Sequence, residues 1–449
     1  MNFKRLRGRI GATAVACLSA ASIAAPSVAH ASAVDVLPTP EAHNNVMMQE
    51  LPSTGPLPDV HSAGYGDPAK PWIVGLGDSY MSGEGAIWSN KNYFGYDRSL
   101  WTFHWTGGIN QVYGDNNGQE SIPYAHRSYS APMHIGGDWN SKNLAVSGAE
   151  QPTVTAEGNR WKPGIDFNGQ AAMLRDFAKD KDVKAVALSI GGNDFGFSDL
   201  ASLCVRQYLI PRGGPAKDLP AAKRLNSQDN YNKVRSRVKT AAVNVSKSME
   251  QAGKSPRQWK LLYQTPPMFI SSAAHTQYSD RWGYDRQNYG GAGFLNDDLD
   301  WLNSEVAPNL RNAMIAGIRD AQAEMRGTQI VVIDNSDAFN YHRLADKATT
   351  QHSFYRNYIG MNPAYKIDNG KDGEWVTPLV LANQFVSDWH WKQNPFHPNY
   401  WGQRALSAGI EHGLYQPVRS LIIKVERDTG RELDSKGRPA MKITDSWDL

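Results

Sequence analysis

Five apolar runs of strand length, alternating with helical patterns, constrain this chain more than any other feature of its 449 residues. The runs are Pro71 to Gly77, Lys142 to Val146, Val183 to Ile190, Trp259 to Gln264 and Gln329 to Ile333. Helical periodicity fills Gln170 to Lys179, Tyr231 to Ala252, Val306 to Met325 and a last stretch from about Asn399 to Gly413. Strands buried on both faces read as continuous apolar runs, and helices between them cover a parallel sheet. The expected fold class is therefore α/β: three layers, α/β/α, around a central, mostly parallel five-stranded sheet with long loop insertions. The insertions fall at 84–140, 205–228, 267–300 and 343–395. The first is rich in aromatic residues, with Trp88, Tyr93, Phe94, Trp101, Phe103 and Trp105 close together. Such rings serve a sugar or acyl surface, or pack the insertion onto the body.

The N-terminus reads as an export signal. Lys4, Arg5, Arg7 and Arg9 precede an apolar run, and Ala29-His30-Ala31 supplies an A-x-A cleavage pattern. A lipoprotein reading through Cys17 is disfavoured, because Ala14 stands where leucine is usual. The expected organisation is a signal peptide over 1–31, a Pro- and Ser-rich flexible leader over 32–69, a catalytic domain over 70–415, and a tail over 416–449 that forms a β-hairpin. The mature chain is expected to be secreted, with no integral membrane segment. Loss of the signal peptide's four basic side chains takes the formal charge from +3 to −1, which leaves no electrostatic footprint for nucleic acid. Cys204 alone would remain of the two cysteines, so no internal disulfide forms; it reads as a small buried hydrophobe.

The chemistry gathers where strands end, the place where open α/β sheets carry ligands. Gly75-Leu76-Gly77-Asp78-Ser79 puts a serine just past the first strand. It does not fit G-x-S-x-G, because Met81 stands at the second glycine, so an α/β-hydrolase elbow is excluded. A serine hydroxyl needs a base, and His397, between Pro395 and Pro398 ahead of the last helix, has a stiff mount. Gly148, after the second strand, and Asn193 in Gly191-Gly192-Asn193-Asp194, after the third, would join the Ser79 N–H as oxyanion donors. Each motif alone is an ordinary turn; their order gives them meaning.

That order, Gly-Asp-Ser, Ser-Gly-Ala, Gly-Gly-Asn-Asp and His-Pro-Asn-x-x-Gly, resembles the SGNH (GDSL) hydrolase superfamily over residues 70–415. The resemblance implies a flavodoxin-like sheet, Ser79 as nucleophile, His397 as base, and Ser79, Gly148 and Asn193 as the oxyanion hole. Ser82-Gly83-Glu84-Gly85-Ala86, His126-Arg127-Ser128 and Ala338 to Leu344 further resemble a secreted esterase and lipase branch from high-GC Gram-positive bacteria. Members of that branch usually carry disulfides where this chain has Ala125, Val146 and Ala345. Many family members place Asp three residues before the histidine; Asn394 occupies that position here. A backbone carbonyl at or near Asn394 is expected to orient His397 instead, with Asp388 as the minority alternative.

The implied function is hydrolysis of carboxylic esters through an acyl-enzyme, by an esterase or lipase acting as a monomer without metal or cofactor. The substrate would be a small-molecule, lipid or glycan ester. The alternative is a non-catalytic envelope-binding protein that retains the fold.

Overall fold

In the computed structural model, β1 (Trp72–Gly77) opens the main sheet as a strand with every residue buried. The structure describes residues 66–86, 113, 121–128, 130–155, 159–162, 165–210, 212–277, 293–349, 373–377, 395–417 and 420–449. The expected signal peptide, most of the leader and the Trp88 to Trp105 stretch lie outside them.

In chain order, β1 leads into the single turn α1 (Ser79–Ser82), then β2 (Asn140–Asn143), α2 (Gln151–Thr155) and a small antiparallel pair, β3 (Asn159–Lys162) with β4 (Ile165–Phe167). Next come α3 (Gln170–Asp180), β5 (Val183–Ser189), α4 (Gly192–Phe195), α5 (Phe197–Leu209), α6 (Pro220–Leu225) and α7 (Gln228–Gln251). The chain continues through β6 (Lys260–Gln264), α8 (Asn296–Trp301), α9 (Ala307–Gln322) and β7 (Gln329–Asp337). It closes with α10 (Tyr400–Leu414), β8 (Leu421–Arg427) and β9 (Met441–Asp448).

The main sheet has seven strands in the order β2-β1-β5-β6-β7-β8-β9. All neighbours pair in parallel except β8 with β9. The fold class is the expected one, but the five-stranded count is corrected to seven. The tail does form a hairpin, yet β8 pairs with β7 from Val331↔Leu421 onward and so extends the sheet. The reason is visible in Leu421-Ile422-Ile423, three consecutive buried residues that need cover on both faces. The second strand also starts earlier than expected, at Asn140; Leu144 and Val146 leave the regular ladder but still donate to the carbonyls of Gly75 and Gly77.

Alternation along β7 assigns the layers. Asp334 pairs with Arg311 of α9, so the even residues face α9, which packs against α7. Val331 and Ile333 line the other face, where Gly413 of α10 would bring an added Cβ to 3.2 Å and 3.6 Å from them. Glycine at 409 and 413 thus lets α10 lie close on the sheet. Fully buried Arg404 of α10 donates to the carbonyls of His134 (2.8 Å) and Ala131 (3.2 Å), fastening the 131–134 loop to that layer. Three layers result, with apolar cores on both faces of β1, β5, β6 and β7.

Candidate active site

Three strand ends are tied together before any side chain enters the cleft. Asp78 N–H donates to the Ser189 carbonyl (2.9 Å), joining the ends of β1 and β5, and Val146 N–H donates to Gly77 (3.0 Å). Gly77 has φ +129°, and a Cβ there would lie 1.8 Å from the Ser189 oxygen, so only glycine permits this approach. The buried Gln170 side chain accepts from Gly77 N–H (2.6 Å) and donates to its carbonyl (2.9 Å).

Ser79 is the first residue of α1. Asp78 caps this turn by accepting from Tyr80 N–H (3.1 Å), and Gly83 closes it in the left-handed region. Burial pushes the Asp78 carboxyl up to about 7; the Tyr80 N–H works against this, and the neighbouring Asp194 charge adds to it.

His397 arrives from the far end of the chain. Its Nε2 lies 2.8 Å from Ser79 Oγ, and its Nδ1 lies 3.1 Å from the Pro395 carbonyl oxygen. A carbonyl only accepts, so Nδ1 carries the proton and Nε2 is left to accept from the serine hydroxyl. The carbonyl belongs to Pro395, the residue after Asn394; Asn394 and Asp388 themselves lie outside the described residues.

The histidine loop is held from two sides. Tyr80 Oη donates to the Phe396 carbonyl (2.9 Å), and its ring centroid lies 5.5 Å from that of His397. On the other side, Thr377 and the loop exchange backbone bonds: Phe396 N–H to Thr377 (2.8 Å) and Thr377 N–H to His397 (2.8 Å). Asn399 N–H donates to Trp375 (2.9 Å), while the Asn399 side chain caps α10 and donates to Glu374 (2.6 Å). Trp375 in turn stacks on His342, centroids 4.0 Å apart. Phe396 sits at φ +67°, a conformation that costs a side-chain-bearing residue about 1 kcal/mol or more. These bonds, with Phe396 packed against Phe269 and Phe294, hold it there.

Gly148, at φ +78°, is exposed just beyond β2. Its N–H and that of Ser79 have no acceptor among the described residues. The Asn193 side chain donates to the Ala149 carbonyl (2.9 Å), which brings it to the Gly148 loop. Asp194 reinforces this junction: it accepts from Gln151 N–H (3.2 Å) and pairs with Arg237 of α7 (2.7 Å). Burial raises the Asp194 carboxyl despite that guanidinium.

The residues that the sequence did not single out for chemistry are Tyr80, Glu84, His126 and Thr377. Glu84 is fully buried; its Oε1 lies 3.0 Å from His126 Nδ1, and its Oε2 accepts from Ser147. Gly85 follows it at φ +80°, where a Cβ would lie 2.8 Å from His397 Cβ. Arg127 donates to the carbonyls of Ala145 (2.9 Å) and Leu144 (3.0 Å), so the His126-Arg127-Ser128 segment braces the strand leading to Gly148. Cys204 is buried and free, and burial pushes its thiol well above the ordinary value.

No family model matches the chain, and no curated protein matches it in sequence. Among solved structures it is similar to an extracellular lipase from Streptomyces rimosus, with 16% identity, TM-score 0.39, and coverage of 76% of this chain and 99% of that one. It is also similar to phospholipase A1 from Streptomyces albidoflavus NA297, with 17% identity, TM-score 0.35, and coverage of 77% and 100%. A salicylyl-acyltransferase from a tetracycline biosynthetic pathway matches at 10% identity and TM-score 0.28, over 78% of this chain and 56% of that one. TM-scores below 0.5 assign neither a fold nor an activity to this chain.

Proposed function

We propose that the chain is a secreted serine esterase or lipase of the SGNH (GDSL) type, acting on carboxylic esters through an acyl-enzyme. The observation that carries this reading is the Ser79 Oγ to His397 Nε2 contact of 2.8 Å, with Nδ1 facing a carbonyl that fixes the tautomer. His397 takes the hydroxyl proton as Ser79 attacks the ester carbonyl. The N–H groups of Ser79 and Gly148 and the Asn193 amide receive the developing oxyanion. The protonated His397 then gives its proton to the leaving alcohol, and water, activated by the same imidazole, releases the acid. A dyad with a backbone carbonyl as third member needs no carboxylate at Asn394. No helix among the described residues is long and apolar enough to cross a membrane. The expected export sequence at 1–31 supports a location outside the cell.

Labelling with a fluorophosphonate tests the assignment directly. One label per chain, mapped to the Ser79 peptide and slowed at least about a hundredfold in His397→Ala, is the expected result. A folded protein that takes no label, or takes it at another serine, would overturn the reading. The first of these outcomes would favour an envelope-binding protein with this fold.

A further inference from the structure

A buried carboxylate lies beside the site without a part in the reaction described above. Glu84 is fully buried, and its backbone N–H donates to the Ser79 carbonyl (3.1 Å). Its Oε1 meets His126 Nδ1 at 3.0 Å, and its Oε2 accepts from Ser147. The His126 ring stacks on Tyr113 at a centroid distance of 4.6 Å, and the Tyr113 hydroxyl accepts from Gly85 N–H (2.8 Å). Gly85, the next residue, lies so near the histidine that an added Cβ would sit 2.8 Å from His397 Cβ. Thr377 ties the two chain segments together, donating from its hydroxyl to Gly85 and from its N–H to His397.

A backbone carbonyl orients an imidazole but brings no charge to stabilise its protonated form. In a triad, that charge comes from the acid on Nδ1. Here Nδ1 is spent on Pro395, and an anion buried in a low-dielectric interior acts over a longer range than one in water. We propose that Glu84 is the anionic counterpart of His397: a positioning residue that, fixed by His126 and Ser147, stabilises the imidazolium formed when Ser79 loses its proton. The inference rests on the Ser79–His397 reading. It agrees with the state of the carboxyl itself. Burial pushes Glu84 up, but the positive charge that His126 and His397 bear when protonated, with the bonds from His126 and Ser147, holds it well below the usual carboxylate range. Other titratable groups facing the pair are Tyr80, with its ring centroid 5.5 Å from that of His397, Asp78 beside it on the same turn, and Tyr113, stacked on His126. All are common to the variants compared below.

The test is the pH dependence of kcat and kcat/KM for a p-nitrophenyl ester in wild type, Glu84→Gln and Glu84→Asp. Without the nearby anion, the imidazole protonates less readily, so its neutral, active form persists to lower pH. Glu84→Gln is expected to lower kcat roughly tenfold, to leave KM within about threefold, and to move the acid limb of kcat/KM down by about one pH unit. Glu84→Asp, which keeps the charge, should return the limb toward the wild-type position. A merely structural role would lower the amount of active protein without moving the limb. If Glu84→Gln does not fold, the same profile is taken on Glu84→Gln with His126→Asn, an amide pair that leaves neither partner charged. An unmoved limb in active, folded variants overturns this inference alone. A wild type without Ser79-dependent turnover overturns the catalytic reading and this inference together.

Discussion

The Nδ1 atom of His397 faces the carbonyl oxygen of Pro395, two residues earlier in the same turn, at 3.1 Å. The orienting group and the oriented ring therefore share one short loop, pinned by Tyr80 and Thr377. If this carbonyl does the work of a triad acid, then Asn394→Ala and Asp388→Ala each leave kcat within about threefold of wild type. A side-chain acid in that role would cost about ten-thousandfold when lost. Steady-state kinetics on the two variants separates the cases.

Gly85, just past the Ser79 turn, lies close to the histidine loop. An alanine there is strained at φ +80° and pushes on His397 Cβ from 2.8 Å. Gly85→Ala is expected to lower kcat at least about tenfold, because a displacement near 1 Å in a reacting pair is that costly. The substitution also destabilises the fold by about 1 kcal/mol. Kinetics and thermal unfolding of the same preparation check both effects.

Asn193 carries one of the three proposed oxyanion donors. Asn193→Ala should reduce kcat by about a hundredfold to a thousandfold, with KM changed much less, since the lost contact is made in the transition state. An equal rise in KM with kcat preserved would assign Asn193 to ground-state binding instead.

Asp78 gives a prediction about stability. Its carboxyl titrates at about 7 in the fold against 3.8 in the unfolded chain, so the folded state holds the proton more tightly. Below pH 3.8 both states are protonated and the group contributes no penalty. As pH rises the unfolded chain ionises first, and stability is lost until the folded carboxyl ionises near 7. The full shift corresponds to about 4 kcal/mol. Asn caps a helix as well as Asp does, so Asp78→Asn should raise the thermal midpoint at pH 8 and leave it little changed at pH 3.5. Scanning calorimetry at the two pH values measures this, and a gain of equal size at both would contradict it.

Much of this was legible in the sequence because strand ends in an α/β sheet gather residues that are far apart in the chain. The apolar runs put Ser79, Gly148 and Asn193 after the first, second and third strands, and the order β2-β1-β5 brings those strand ends side by side. The seven-stranded sheet was less legible: polar and apolar residues alternate through the tail, which resembles a free hairpin, whereas Leu421-Ile422-Ile423 marks a strand covered on both faces. The supports of His397 were hidden for a different reason. Residues 373–377 meet the histidine loop through main-chain bonds and one Asn399 side-chain bond to the Glu374 carbonyl, and backbone partners leave no residue-type signature. Glu84 did leave one, a carboxylate inside an otherwise small-residue Ser-Gly-Glu-Gly-Ala stretch, where burial without a partner would be prohibitive.

The central claim is that Ser79 is the nucleophile and His397 its base. It is tested most directly by hydrolysis of p-nitrophenyl esters from acetate to palmitate, with wild type, Ser79→Ala, His397→Ala and the double variant side by side. The account predicts measurable wild-type turnover, a loss of at least about a thousandfold in each single variant, and no further loss in the double, since the two residues act as one unit. Turnover that survives in Ser79→Ala, or losses that multiply in the double variant, would contradict it.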